Sequence, residues 1–306
     1  MSAIRSSFGD LLEPGFRKIF DDNFKEYSEQ YSQIFKVVTS SKQDEKDSAV
    51  TGFGLMEEHT ESQPLVYDDV QQGYDVTYTH KTFRRGFSIS KEMYEDDQYN
   101  VMKKKPAALA KSARRTIEYY ASAVLNGAFS LSYLGGDGEP LCSVGHPCAV
   151  GAGGASQSNA SSTSVALSEP NLRAAILAMR GQKDDKGMKI QIRPTHLIVP
   201  PALEHTAKVL LQTTLIPGSA NNDVNTLKGE LTLIVYDWLT SETVWFLMDK
   251  NQAELNFFWR VRPEFKQEEN FDTDAALYKA RMRFSCGFSD WRGIWGSQGN
   301  AAGYSY

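Results

Sequence analysis

The chain has 306 residues, enough for about two domains, and its 41% hydrophobic and 23% charged residues exclude disorder throughout. A formal net charge of −5, from 33 Lys and Arg against 38 Asp and Glu, argues against a dedicated nucleic-acid-binding module. No apolar run approaches the ~20 residues of a membrane helix. The first ten residues lack a signal-peptide layout, so a protein made and used in a cytoplasm is expected, and three cysteines give no disulfide framework.

Residues 14–35 place Phe16, Ile19, Phe20, Phe24, Tyr27, Tyr31 and Ile34 at helical spacing behind Pro14, which suits a first turn. This predicts an amphipathic helix, packed either on its own domain or on a neighbouring subunit. Residues 40–48 are polar and linker-like. From Gly73 to Ser90 the pattern has period two in two registers, first Tyr74, Val76 and Tyr78, then Phe83, Phe87 and Ile89. The change of face predicts a bend. Both faces are polar, so this ribbon has little core of its own and needs other chains to lean on.

A helix over about 98–126 carries Val101, Leu109, Ala113, Ile117, Tyr120 and Val124 on one stripe; Lys103–Lys105, Lys111, Arg114 and Arg115 make the other a solvated face, one that pairs with acids on a neighbour, or one that meets nucleic acid. Pro106 marks a kink or a fresh start, and Gly127 a C-terminal cap. Residues 134–164 read as a long flexible loop. Beyond it lie a helix at 169–180, a buried strand His196–Val199, a helix at 203–211 and a strand pair at 231–236 and 244–248. The clearest strand runs Ala276–Phe288, with every second residue apolar and Lys279, Arg281 and Arg283 between them. With Leu255–Phe265, where Arg260 and Arg262 alternate with apolar residues, it predicts an extended hairpin with one apolar face.

Reactive residues cluster once, at Cys142, His146 and Cys148. Zinc would require a fourth ligand, and none lies nearby in sequence. A Cys142 nucleophile would require a third orienting group and an oxyanion hole. The paired carboxylates fall in polar turns or at helix ends, and the Gly135–Gly138 run lacks the residues of a phosphate loop. No catalytic, cofactor or metal residue is assigned.

Read in order, these elements resemble the major capsid proteins of tailed phages, the fold first seen in phage Hong Kong 97, and within it the Mu-like major head subunit group. The likeness is carried by Ile89-Ser90-Lys91-Glu92-Met93 with Asp96-Asp97, by Val124-Leu125-Asn126-Gly127, and by Gly136-Asp137-Gly138-Glu139-Pro140-Leu141 with His146-Pro147. Further along it is carried by Pro194 to Pro201, Val235-Tyr236-Asp237-Trp238, Trp245 to Asp249, and Ala276 to Phe288 followed by Asp290-Trp291-Arg292. The resemblance implies an α+β capsid fold. It divides into an N-terminal arm with helix (1–45), an extended β-hairpin loop (46–92), a peripheral domain with spine helix and long hairpin (93–135 and 250–292) and an axial domain (136–249 and 293–306).

It also implies a structural, non-catalytic role: many copies, as hexamers and pentamers, closing into a virion shell around double-stranded DNA without sequence-specific binding and without a membrane. A separate scaffold, a portal and decoration proteins are the implied partners. The expected inter-subunit contacts are Phe83, Arg84 and Arg85 on the hairpin arm, Phe16, Phe20 and Phe24 on the N-terminal helix, and Arg260, Arg262, Arg281 and Arg283 on the long hairpin. The alternatives are an encapsulin-like compartment shell and, from another class, an enzyme using Cys142 and His146.

Overall fold

A computed structural model describes residues 8–26, 28–56, 58–61, 67–90, 92–93, 96, 101–148, 154–215, 223–270 and 275–299. The expected tip of the long hairpin (271–274) and most of the turn before the spine helix lie outside them. In chain order the elements are α1 (Phe8–Glu26), α2 (Tyr31–Ile34), β1 (Lys36–Thr39), β2 (Asp44–Val50), β3 (Gln72–Thr79), β4 (Lys81–Ile89), α3 (Val101–Asn126), α4 (Glu169–Arg180), β5 (His196–Val199), α5 (Glu204–Gln212), β6 (Thr232–Val235), β7 (Trp245–Met248), β8 (Leu255–Asn270), β9 (Ala275–Phe288) and β10 (Ile294–Ser297).

The first sheet has the order β1-β8-β9-β4 and grows from the β8–β9 hairpin. Along β9, Tyr278, Ala280, Met282 and Phe284 are buried while Leu277, Lys279 and Arg281 are exposed. Helices α1 and α3 cover the apolar face, with Phe16 against Tyr278 and Phe20 against Phe265, each at 5.3 Å between ring centres. Register shifts at Val261 fall close to Pro263, which has no N–H to give a ladder.

The second sheet, β10-β7-β5-β6, is buried on both sides. Leu197, Val199, Trp245 and Leu247 point into a core with Leu172, Ile176 and Met179 of α4 and Ala207 and Leu211 of α5. Ile198, Phe246 and Met248 point the other way, into the core shared with α3 and the first sheet. This is why β5 and β7 read as continuous apolar runs.

Four expectations are corrected. The N-terminal helix is two helices, because residues 28–30 leave the helical path where a carboxylate from α3 caps α2. Strands β6 and β7 do not pair, since β5 lies between them. Strands β3 and β4 are not the two halves of one ribbon: β3 pairs with the polar β2, and β4 pairs along its whole length with β9. Finally, the described parts of 134–164 are held by side-chain hydrogen bonds around buried His146 and Asn159 rather than left loose.

Candidate assembly surface

The spine helix α3 carries three buried polar residues one turn apart, Arg114, Glu118 and Ser122. Glu118 accepts hydrogen bonds from the backbone N–H groups of Gln30 (3.0 Å) and Tyr31 (3.1 Å), the free donors at the start of α2. The Tyr236 hydroxyl, from the end of β6, donates to the same carboxylate at 3.4 Å. Burial pushes the Glu118 carboxyl above its ordinary range, and the two N–H donors oppose that shift. Arg114 pairs with Glu29 at 2.9 Å, donates to the Phe24 carbonyl at 3.1 Å and lies 4.1 Å over the Phe24 ring. One stretch of α3 thus ties the N-terminal helices and the second sheet to the first.

The ribbon β2–β3 leaves this body as an arm. At its root, Tyr78 is buried against Phe258, and its hydroxyl shares a 2.6 Å hydrogen bond with Ser289. Burial raises the Tyr78 phenol to about 12. His80, at the bend into β4, sits between the Ser40 and Ser285 hydroxyls at 3.2 and 2.9 Å. Burial, and then the nearby Arg283, lower its pKa, which favours the neutral ring. Farther out, the arm leans on its own subunit through Tyr74, which donates to the Cys148 carbonyl (2.8 Å), and through the Asp68–Lys186 ion pair (2.5 Å). Its outer part carries Phe53, Leu55, Met56 and Tyr67 at 62, 84, 101 and 88% exposure. Apolar side chains of that size left in water mark this part of the arm as a candidate contact surface.

The candidate contact residues separate into two groups. Phe16 and Phe20 are buried in their own subunit, so they have no ring face left for a neighbour. Phe83 lies 4.7 Å from Phe284 and 4.6 Å from Tyr120, on the core side of β4, and Phe24 covers Arg114. The arginines lie at the surface: Arg84, Arg85, Arg262 and Arg281 are exposed, Arg260 and Arg283 half-buried. Sequence reasoning missed the apolar residues of the arm; the signal was Phe53, Leu55 and Met56 standing among glycines in an otherwise polar stretch.

The Cys142–His146 cluster is structural. Cys142 is buried and its thiol pushed up by desolvation, the opposite of an activated nucleophile. His146 stacks on Trp291 at 4.3 Å, with Nδ1 2.6 Å from the Asp137 carboxylate and Nε2 3.1 Å from Asn159 Oδ1. That amide's orientation is set by its Nδ2 donating to the Leu141 and Trp291 carbonyls. Both ring nitrogens are therefore engaged by Asp137 and Asn159 rather than by Cys142. Among the described residues no cluster of His, Cys, Asp and Glu could hold a metal ion, and no helix is long and apolar enough to cross a membrane.

A branched, two-sheet body with a projecting arm is a shape for joining copies, and comparison with known proteins agrees. The family model described as phage capsid protein matches residues 73–297. The chain belongs to that family. It is a structural, non-enzymatic virion protein. Over 73 residues it is 37% identical to the major capsid protein of Escherichia phage Mu, a match that spans 24% of each chain. Solved structures of the same fold include the capsid of bacteriophage JBD30 decorated with minor capsid protein trimers, at TM-score 0.56 and 16% identity, covering 70% of this chain and 92% of that one. The JBD30 procapsid gives 0.52 and 15% over 97% of this chain and 76% of that one. The virus-like particle from Pyrococcus furiosus gives 0.52 and 10% over 92% and 97%.

Proposed function

We propose that this protein is the major subunit of an icosahedral head shell enclosing the double-stranded DNA of a tailed phage. The observation that carries the reading is the arm. It is anchored at its root, apolar in its outer part and largely exposed, on a chain that belongs to a phage capsid family. Copies join as hexamers and pentamers, each arm lying over the next subunit and the β8–β9 hairpins meeting near local three-fold positions. Each contact can be weak, because every subunit makes several at once and closure multiplies them.

The proposed division assigns 93–135 and 250–292 to a peripheral domain and 136–249 and 293–306 to an axial domain. The pairing of β4 with β9 supports counting 81–89 with the proposed peripheral domain and reading the arm as about 44–79. A scaffold, a portal and decoration proteins are the proposed partners.

Electron microscopy of the purified protein across protein and salt concentrations is the test. Closed shells or capsomer sheets are expected. Monomers or dimers under every condition sink the reading, and particles from infected or expressing cells that hold protein cargo and no DNA indicate a compartment shell instead.

A further inference from the structure

The outer face of the first sheet, opposite α1 and α3, gathers positive charge. Arg84 of β4 lies directly across from Arg281 of β9, and Arg283 sits two residues along, on the same face. Arg260 of β8 is beside it, next to Val261, which pairs with Arg283. Among the described residues none of these four guanidinium groups has a carboxylate within ion-pair distance: Glu264, across β8 from Arg281, pairs with Lys266 instead, and Glu268 pairs with Lys279. The Nε atoms of Arg260 and Arg283 are buried with no hydrogen-bond partner. Like charges directly opposite across a ladder oppose pairing, and a buried N–H without an acceptor carries a desolvation penalty. Both costs fall when an anionic surface lies over the face.

The chain itself contains such a surface. Residues 44–79 hold nine Asp and Glu against one lysine, Lys46. Within the subunit, Asp68 pairs with Lys186 and Glu45 with Lys42. Asp47, Glu58, Glu61 and Asp69 are exposed and have no ion-pair partner among the described residues. Meanwhile residues 81–115, which build β4 and the spine, hold ten Lys and Arg against four Asp and Glu. The net charge of −5 therefore conceals an acidic arm and a basic body. The arm root lies on the same outer face, at Phe258 and Gly287, so it projects from beside the arginines of its own copy.

We infer that the arginine face of one copy, Arg84, Arg281, Arg283 and Arg260, is the docking surface for the acidic arm of a second copy. The arm's outer carboxylates form charge-assisted hydrogen bonds to the guanidinium groups, and its exposed Phe53, Leu55 and Met56 are covered in the same contact. This rests on reading the arm as an inter-subunit element and adds which surface it meets and by what chemistry. Nucleic-acid phosphate is the competing anion for the same face. The arm is favoured because its carboxylates are in stoichiometric supply and lack partners of their own.

Charge exchange in the full chain tests this. Arg84→Glu with Arg281→Glu should lower shell yield at least ten-fold, while the unassembled subunit stays folded, because one exposed like-charge pair replaces another of opposite sign. Glu58→Lys, Glu61→Lys and Asp69→Lys together should lower it similarly. Combining the two sets should bring shells back to within about three-fold of wild type. Normal shells from either reversed variant overturn the inference and leave the capsid reading intact. Failure of the combined variant to recover overturns it too, as does normal assembly with loss of DNA retention alone, which gives the face to nucleic acid. A wild-type chain that forms neither shells nor sheets removes both readings.

Discussion

Glu118 shows how a single buried carboxylate can decide a chain path. It sits at 2% exposure and accepts from two backbone N–H groups 87 and 88 residues away in sequence. Glu118→Ala leaves those two donors without an acceptor, while the Tyr236 hydroxyl keeps the residue 118 carbonyl, so denaturant unfolding of the unassembled subunit should show a loss of about 2–4 kcal/mol. Glu118→Gln keeps one acceptor oxygen and removes a desolvated charge, and should lose less than half as much. Equal losses in the two variants would mean that the charge, not the capping, matters.

His80 gives the pH counterpart. Its folded pKa lies below the unfolded value of about 6.5, so the unfolded chain binds the extra proton first. The contribution of the neutral ring is therefore present above about pH 6.5 and is lost as pH falls through the folded pKa. His80→Gln should flatten that part of the stability profile between pH 7 and 5, and an unchanged slope would remove His80 from the account.

Among the elements, β4 is the one whose position was hardest to foresee. Its alternation, Phe83, Phe87 and Ile89, was plain in the sequence, yet its partner β9 lies nearly 200 residues away. The adjacent strand β3 offered a simpler pairing that the structure does not use. The true partner of β3, β2, reads Asp-Glu-Lys-Asp-Ser-Ala-Val and has no apolar period, because it pairs on an exposed ribbon with no core face to bury. By contrast β9 and the stripe of α3 were legible, since each buries one face against a single core. Arg114 was misplaced on a solvated face because its partner, Glu29, lies far off in sequence, in the link between α1 and α2.

The tight fit of β4 on β9 is testable at Gly86. A Cβ there would lie 2.5 Å from the Tyr278 carbonyl oxygen, a backbone atom that cannot swing aside. Gly86→Ala should destabilise the subunit by about 1–3 kcal/mol and reduce hydrogen-exchange protection along β4 first. Protection lost equally everywhere would show that β4 is not a separately yielding element.

At the scale of the whole molecule, the fold separates what holds one subunit together from what joins subunits. The two cores account for most of the large buried side chains, and Tyr78, at the root of the arm, is buried outside both. Its other ties to the subunit among the described residues include Tyr74–Val76 against Gly136, Tyr74 to the Cys148 carbonyl, and Asp68 to Lys186, the last a half-exposed ion pair worth at most about 1 kcal/mol. An arm held so lightly contributes little to subunit stability, while its exposed apolar residues are costly in water unless a neighbour covers them. Replacing residues 52–70 with a short Gly-Ser turn between β2 and β3 keeps Tyr78, His80 and their hydroxyl partners. The shortened subunit should unfold within about 1 kcal/mol of wild type, and it should form no closed shells by electron microscopy at concentrations where the full chain does. Shells of normal size from the shortened chain would show that the arm is dispensable and that the β8–β9 hairpin contacts suffice. A large loss of subunit stability would instead place the arm within the fold and make its exposure a property of the isolated copy alone.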